Sequence, residues 1–276
     1  MGILALKRIF LLACLLLSAC ASVEAAREHA AEVAGGGLLV PRRVAAGRFQ
    51  LSTWQKLLDP GKPLHVFIEG DGLSWVSRDQ PAMDPTPRNP VGLELAASDR
   101  WPNVFYLARP CQFTPHGEDP SCEDKWWTSH RSAPEVVDAM DEAISMMVQP
   151  GQKLRLIGYS GGGGVAALVA ARRNDVESLI TVAGNLDHVW LNAWHHVAQT
   201  PQSLNPIDVA GKLARVPQIH FVGERDVIVP AEIARAWQKA SNSSCVQIVE
   251  TPGATHGGGW KESWGWMQKM IPSCAR

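Results

Sequence analysis

Residues 154–164 read Leu-Arg-Leu-Ile-Gly-Tyr-Ser-Gly-Gly-Gly-Gly. A short apolar run of strand character ends in Gly158-Tyr159-Ser160-Gly161-Gly162, and a small-residue helical segment, Val165 to Arg172, follows. Strand, sharp turn and helix in succession is the setting that gives Gly-x-Ser-x-Gly a chemical meaning. The turn is tight, so Gly158 and Gly162 stand where a side chain would clash. Ser160 is lifted clear of the backbone. The next amide, Gly161 N–H, lies at a helix N-terminus, where unpaired donors favour developing negative charge. The bland alternative is a glycine-rich loop without chemistry.

A second glycine reading is excluded. Gly161-x-Gly163-x-x-Ala166 formally fits a dinucleotide fingerprint. That fingerprint wants an acidic residue about 20 positions on, at the end of the next strand. Here the region reads Ile180-Thr181-Val182-Ala183-Gly184-Asn185, and Asp187 lies past the strand end. No nucleotide cofactor is expected, and no cofactor of any other kind.

The N-terminus has the pattern of an export signal. Lys7 and Arg8 precede an apolar run, Ile9 to Leu17, too short to span a bilayer. It closes in Leu17-Ser18-Ala19-Cys20, which resembles a bacterial lipobox. That resemblance implies removal of residues 1–19 and lipid attachment at Cys20, anchoring the protein to an envelope membrane, with the periplasmic side expected. Residues 20–37 read as a tether with some helical tendency, and the domain spans 38–276. The remaining chain carries 24 basic and 27 acidic residues, so nothing points to nucleic acid. An exported chain with four remaining cysteines implies disulfides. Closeness in sequence favours Cys111–Cys122, which stabilises by roughly 3 kcal/mol in the chain-entropy picture. Cys245 and Cys274 are brought together if the last helix runs back along the last strand. No Cys-x-x-Cys spacing supports a metal site.

Candidate strands are Leu64 to Ile68, Val104 to Ala108, Leu154 to Ile157, Ser178 to Val182, Ile219 to Val222 and Cys245 to Val249. Candidate helices are Pro134 to Met147, Val165 to Arg172, Pro230 to Ser241 and Glu262 to Ile271. The stretch from Leu73 to Pro102 reads as a polar, Pro-rich loop. Alternation of this kind predicts an α/β fold with a mainly parallel sheet flanked by helices. Ligands then sit beyond the carboxyl ends of the strands. Ser160, Asp226, His256 and the Gly70-Asp71 turn all follow such ends.

At these residues the chain resembles the α/β-hydrolase family. The order Ser160, Asp226, His256 matches that family's order of nucleophile, acid and base. Gly-Tyr-Ser-Gly-Gly, Gly223-Glu224-Arg225-Asp226-Val227-Ile228-Val229-Pro230 and Thr255-His256-Gly257 carry the resemblance, which spans roughly Leu64 to Ile271. It implies that Ser160 attacks, His256 takes its proton, and Asp226 orients the imidazole. Glu224 and Asp187 are rival carboxylates. Of nine histidines, His188, His195 and His196 are possible pocket residues, and His65 and His220 are read as structural.

The family's oxyanion turn, usually His-Gly, aligns with Glu69-Gly70-Asp71 here. Gly161 N–H and Asp71 N–H are therefore the expected donors, with Gly70 shaping the turn. An inward-facing Asp71 carboxylate would oppose an oxyanion unless it meets a cation. One hypothesis is that Glu69 or Asp71 recognises an amine-bearing substrate, which would tilt the activity towards peptides. Residues 185–213, rich in Trp and His, are a candidate small cap. Trp190 and Trp194 share a helical face there, and with Trp75 they are candidate substrate contacts. The expectation is an ester-cleaving serine hydrolase acting on a small-molecule or peptide acyl substrate. Alternatives are a peptidase or amidase of the same fold, or a non-catalytic envelope lipoprotein.

Overall fold

In the computed structural model, residues 23–115 and 117–274 are described. The expected signal segment and lipidation site, residues 1–19 and Cys20, lie outside them. Eight strands form one sheet: β1 (Val40–Ala46), β2 (Phe49–Leu57), β3 (Leu64–Ile68), β4 (Asn103–Leu107), β5 (Leu154–Tyr159), β6 (Val176–Val182), β7 (Gln218–Gly223) and β8 (Val246–Thr251). Their order is β1-β2-β4-β3-β5-β6-β7-β8. The run from β4 to β8 is parallel, whereas β1 and β2 are antiparallel to their neighbours.

The first two strands were not among the sequence candidates. β1 lies at the sheet edge with its first four residues exposed, and β2 buries Ser52 and Thr53, so neither shows a clean apolar alternation. By contrast β3 and β4 are buried throughout, as parallel strands covered on both faces must be.

Helix α1, residues 23–36, replaces most of the expected tether. Ala26, Ala30 and Ala34 recur every four residues and are buried, the last two in the same apolar cluster as Leu39, Phe67 and Tyr106. Arg27 adds an ion pair to Asp84 at 2.8 Å. The segment is therefore part of the folded body.

Six further helices are α2 (Val91–Ser98), α3 (Pro134–Ser145), α4 (Gly161–Ala170), α5 (His188–Trp194), α6 (Glu232–Ser241) and α7 (Trp260–Met267). α2 lies inside the stretch read as a Pro-rich loop. Its first-turn amides, Gly92 and Leu93, donate to the buried Glu69 carboxylate, a partner no local pattern announces. Residues 185–213 fold as α5 plus a 3₁₀ segment, Pro206–Leu213, the latter packed against α4 and α6. Cys111–Cys122 and Cys245–Cys274 are both disulfide-bonded. Among the described residues no helix is long and apolar enough to cross a membrane.

Candidate active site

The parallel strands deliver the candidate residues to one rim. Glu69 follows β3, Ser160 follows β5, Asp226 lies three residues past β7, and His256 lies five past β8. Ser160 has φ 51° and ψ −123°, a conformation costly for a side chain-bearing residue. The surroundings impose it. Ser160 N–H donates to Val182 O, and Ser160 O accepts from Gly163 and Asn185 N–H. A Cβ on Gly158 would stand 2.3 Å from Gly162 O, and one on Gly162 would stand 2.3 Å from Glu69 O. Only glycine lets strand, helix and the neighbouring turn approach this closely.

Ser160 Oγ lies 3.0 Å from His256 Nε2, and His256 Nδ1 lies 2.9 Å from Asp226 Oδ2. Asp226 Oδ1 accepts from Ile228 and Val229 N–H at 2.9 Å each, which fixes the carboxylate plane; its side chain is fully buried. The two rival acids serve elsewhere. Glu224 accepts from Gly253 N–H, and Asp187 caps α5 through Trp190 N–H and holds Asn205.

The imidazole sits on a fixed loop. His256 O accepts from Tyr159 Oη and from Trp260 Nε1, each at 2.9 Å. Asn89 Nδ2 donates to Gly257 O at 2.9 Å. Burial, followed by the nearby Glu69 carboxylate, pushes the Tyr159 phenol well above its ordinary range, so it stays a donor.

The Glu69-Gly70-Asp71 turn is built differently from the substrate-recognition hypothesis. Glu69 is buried and accepts from Tyr106 Oη, Gly70 N–H and the start of α2. Burial pushes its carboxyl up, and those hydrogen bonds oppose the shift. It points away from the rim and is committed to structure. Asp71 Oδ1 meets Arg109 Nη1 at 3.2 Å, and Oδ2 meets Arg131 Nη1 at 3.0 Å. Burial would raise the Asp71 carboxyl, but the Arg131 and Arg109 guanidiniums outweigh it and hold it below its ordinary value. Two cations about one anion leave the cluster net positive, the opposite of an amine-binding site. Asp71 and Gly161 N–H have no protein acceptor among the described residues.

A cavity of about 20 Å³ adjoins this turn, lined by Asp71, Arg109, Arg131, Ser132, Gly161, Gly164, Asn185, His188 and Pro206. Arg109 Nε, Arg131 Nε and Asn185 Oδ1 are buried there without a hydrogen-bond partner among the described residues. His188 is thus a pocket residue, and burial, followed by the Arg131 charge, lowers its basicity. None of the three candidate tryptophans lines this cavity. Trp190 and Trp194 stack on each other at 5.2 Å, Trp194 is largely exposed, and Trp75 lies in the loop bridged to Pro81. His195 contacts only the acid loop: its Nε2–H donates to Ile228 O at 2.7 Å.

Arg109, Arg131 and Gln112 were not singled out from sequence. Arg109 has one available signal, since it follows the end of β4 at the same rim. Arg131 and Gln112 have none, because the long connection from β4 to α3, stapled by Cys111–Cys122, brings them in.

No family model and no curated protein sequence matches the chain. Solved structures do. An alpha-beta serine hydrolase homologue from Coxiella burnetii aligns with TM-score 0.56 at 17% identity, over 83% of this chain and 93% of that one. The esterase domain of a Rhodothermus marinus protein aligns with TM-score 0.56 at 16% identity, over 83% and 94%. A membrane phospholipase A, described as a bacterial virulence factor, aligns with TM-score 0.55 at 16% identity, over 95% and 97%. With the strand order described above, these likenesses establish that the chain has the α/β-hydrolase fold.

Proposed function

We propose that this chain is a serine hydrolase that cleaves a carboxylic ester through an acyl-enzyme on Ser160. The observation that carries the reading is the continuous path Asp226 Oδ2, His256 Nδ1, His256 Nε2, Ser160 Oγ, with gaps of 2.9 and 3.0 Å. A serine hydroxyl is a weak nucleophile until a base takes its proton. With Nδ1–H donated to Asp226, the neutral ring keeps Nε2 free to accept that proton, and the buried carboxylate stabilises the imidazolium that forms. The tetrahedral oxyanion is met by Gly161 and Asp71 N–H. His256 then returns the proton to the leaving alcohol, and water, activated by the same imidazole, releases the acid.

The leaving group must lie on the His256 side, where its oxygen collects the proton. The oxyanion is held on the opposite side by Gly161 and Asp71 N–H, and the acyl group lies beside it, towards Arg131 and His188 in the adjoining cavity. The space there is about 20 Å³ and polar, which supports a short acyl group such as acetyl over a long alkyl chain.

A fluorophosphonate probe tests the hydrolase reading. Wild type is expected to label at Ser160 and Ser160→Ala to stay unlabelled and inactive on p-nitrophenyl acetate. An unlabelled wild type with no esterase activity would favour a non-catalytic binding protein. We also propose that the chain is exported and lipid-anchored through Cys20; release of Cys20→Ser from membranes of the expressing cell, with the acyl mass missing from its N-terminal peptide, is the expected result.

A further inference from the structure

Gln112 is buried, with 1% of its surface exposed, in the loop closed by Cys111–Cys122. Its amide makes two bonds. Oε1 accepts from Arg109 N–H at 3.0 Å, and Nε2 donates to Gly70 O at 2.9 Å. That carbonyl belongs to the same peptide unit as Asp71 N–H. In a trans peptide the C=O and N–H point in opposite directions, so holding one end aims the other.

We propose that Gln112 is a positioning residue that presets the oxyanion hole by fixing the Gly70–Asp71 peptide plane. The inference rests on the acyl-enzyme reading above and names a group that never touches substrate. Three features support it. The Gly70 carbonyl has no other hydrogen-bond donor among the described residues, whereas the bonds on either side, Gly70 N–H to Glu69 Oε1 and Ser74 Oγ to Asp71 O, leave that one peptide plane unheld. The peptide lies beside the nucleophile, since a Cβ on Gly70 would stand 3.3 Å from Ser160 Cβ. The Asp71 side chain is fixed independently by Arg109 and Arg131, so the strap on Gly70 O and the clamp on the carboxylate bracket the one N–H between them. Arg109 Nη2 donates in turn to Arg131 O, which ties the two ends of the loop together.

Gln112 also lines a small cavity with Asp71, Arg109 and Arg131, so a filling role must be separated from a donating one. A filler would be replaceable by an isosteric apolar side chain, and a donor to Gly70 O would not. Loss of one oxyanion donor lowers turnover by ~10²–10³. A peptide free to flip removes that donor for part of the time.

The test compares Gln112→Met and Gln112→Glu with wild type, after thermal unfolding confirms that each is folded. Both are expected to lower kcat on p-nitrophenyl acetate by about 10- to 1,000-fold with KM within about threefold. Gln112→Glu carries a second readout. Its ionised carboxylate cannot donate to Gly70 O, whereas its protonated form can. Its kcat relative to Gln112→Met is therefore expected to rise as pH falls. Both variants keeping kcat within threefold of a labelled wild type, or losing KM rather than kcat, overturns the role of Gln112 and leaves the hydrolase reading intact. A wild type that fails to label removes the hydrolase reading and the role of Gln112 together. If Gln112→Met does not fold, the pH dependence of Gln112→Glu relative to wild type decides, with no relative rise at low pH overturning the proposal.

Discussion

The Tyr159 hydroxyl donates to the His256 carbonyl at 2.9 Å, joining the residue before the candidate nucleophile to the backbone of the candidate base. The bond couples the end of β5 to the loop after β8, which are not adjacent in the sheet. The Tyr159 ring also lies 5.5 Å from the imidazole, centroid to centroid. Tyr159→Phe keeps the ring and removes the bond. A net hydrogen bond is worth about 1 kcal/mol, so kcat/KM is expected to fall roughly fivefold. The effect stays modest because Trp260 Nε1 still donates to the same carbonyl. Steady-state kinetics on p-nitrophenyl acetate check this, and a loss beyond a hundredfold would assign Tyr159 a direct part in the chemistry.

Asp226 holds the imidazole with one oxygen while the other accepts two backbone N–H groups. In Asp226→Asn the amide NH₂ must face either those N–H donors or His256 Nδ1. Facing the ring, it forces the tautomer that leaves Nε2 protonated and unable to act as base. A fall in kcat of ~10³–10⁴ is expected with the fold retained. Near-wild-type turnover in Asp226→Asn would contradict the assigned order of acid and base.

Acyl length is a separate test of the pocket. Turnover is expected to fall in the order acetate, butyrate, octanoate among p-nitrophenyl esters. Arg131→Ala enlarges the cavity while Arg109 continues to face Asp71. One or two methylenes in a pocket change selectivity on the order of tenfold, so the butyrate-to-acetate ratio of kcat/KM should rise by about that factor. A wild type that prefers octanoate would show that the acyl group lies elsewhere.

His220 gives a stability prediction remote from the chemistry. Its Nδ1 accepts from Thr181 Oγ1 at 2.8 Å, and its Nε2 faces Gln218 Oε1 at 3.3 Å. Burial lowers its pKa from 6.5 to about 3. Between those values the unfolded chain binds a proton that the folded one excludes, so stability rises with pH across the window. The contribution is complete above about pH 6.5 and is lost as pH falls towards 3. At pH 5 the loss is about 2 kcal/mol. His220→Gln is expected to flatten this part of the profile in urea unfolding followed from pH 7 to 5. An unchanged slope would place the acid sensitivity in other groups.

Much of the frame was legible before any coordinates. The strand and helix around Ser160, the order Ser160, Asp226, His256, and the pairing of four cysteines rest on local spacing or on chain order. Burial on both faces wrote β3 and β4 into the sequence as continuous apolar runs. What stayed hidden has one cause: its partners are distant in sequence. β1 and β2 need a neighbour to be strands at all, α1 needs the groove that receives Ala30 and Ala34, and α2 needs a cap supplied by Glu69. Glu69 and Asp71 looked alike as acids in one turn. Only packing gave one of them to a helix start and the other to two arginines that flank the disulfide-closed loop. Sequence thus determined which groups are candidates for chemistry, because that depends on residue type and local turn geometry. Tertiary structure alone decided the charge, size and rigidity of their surroundings, because those depend on side chains that only the closed fold brings within a few ångströms.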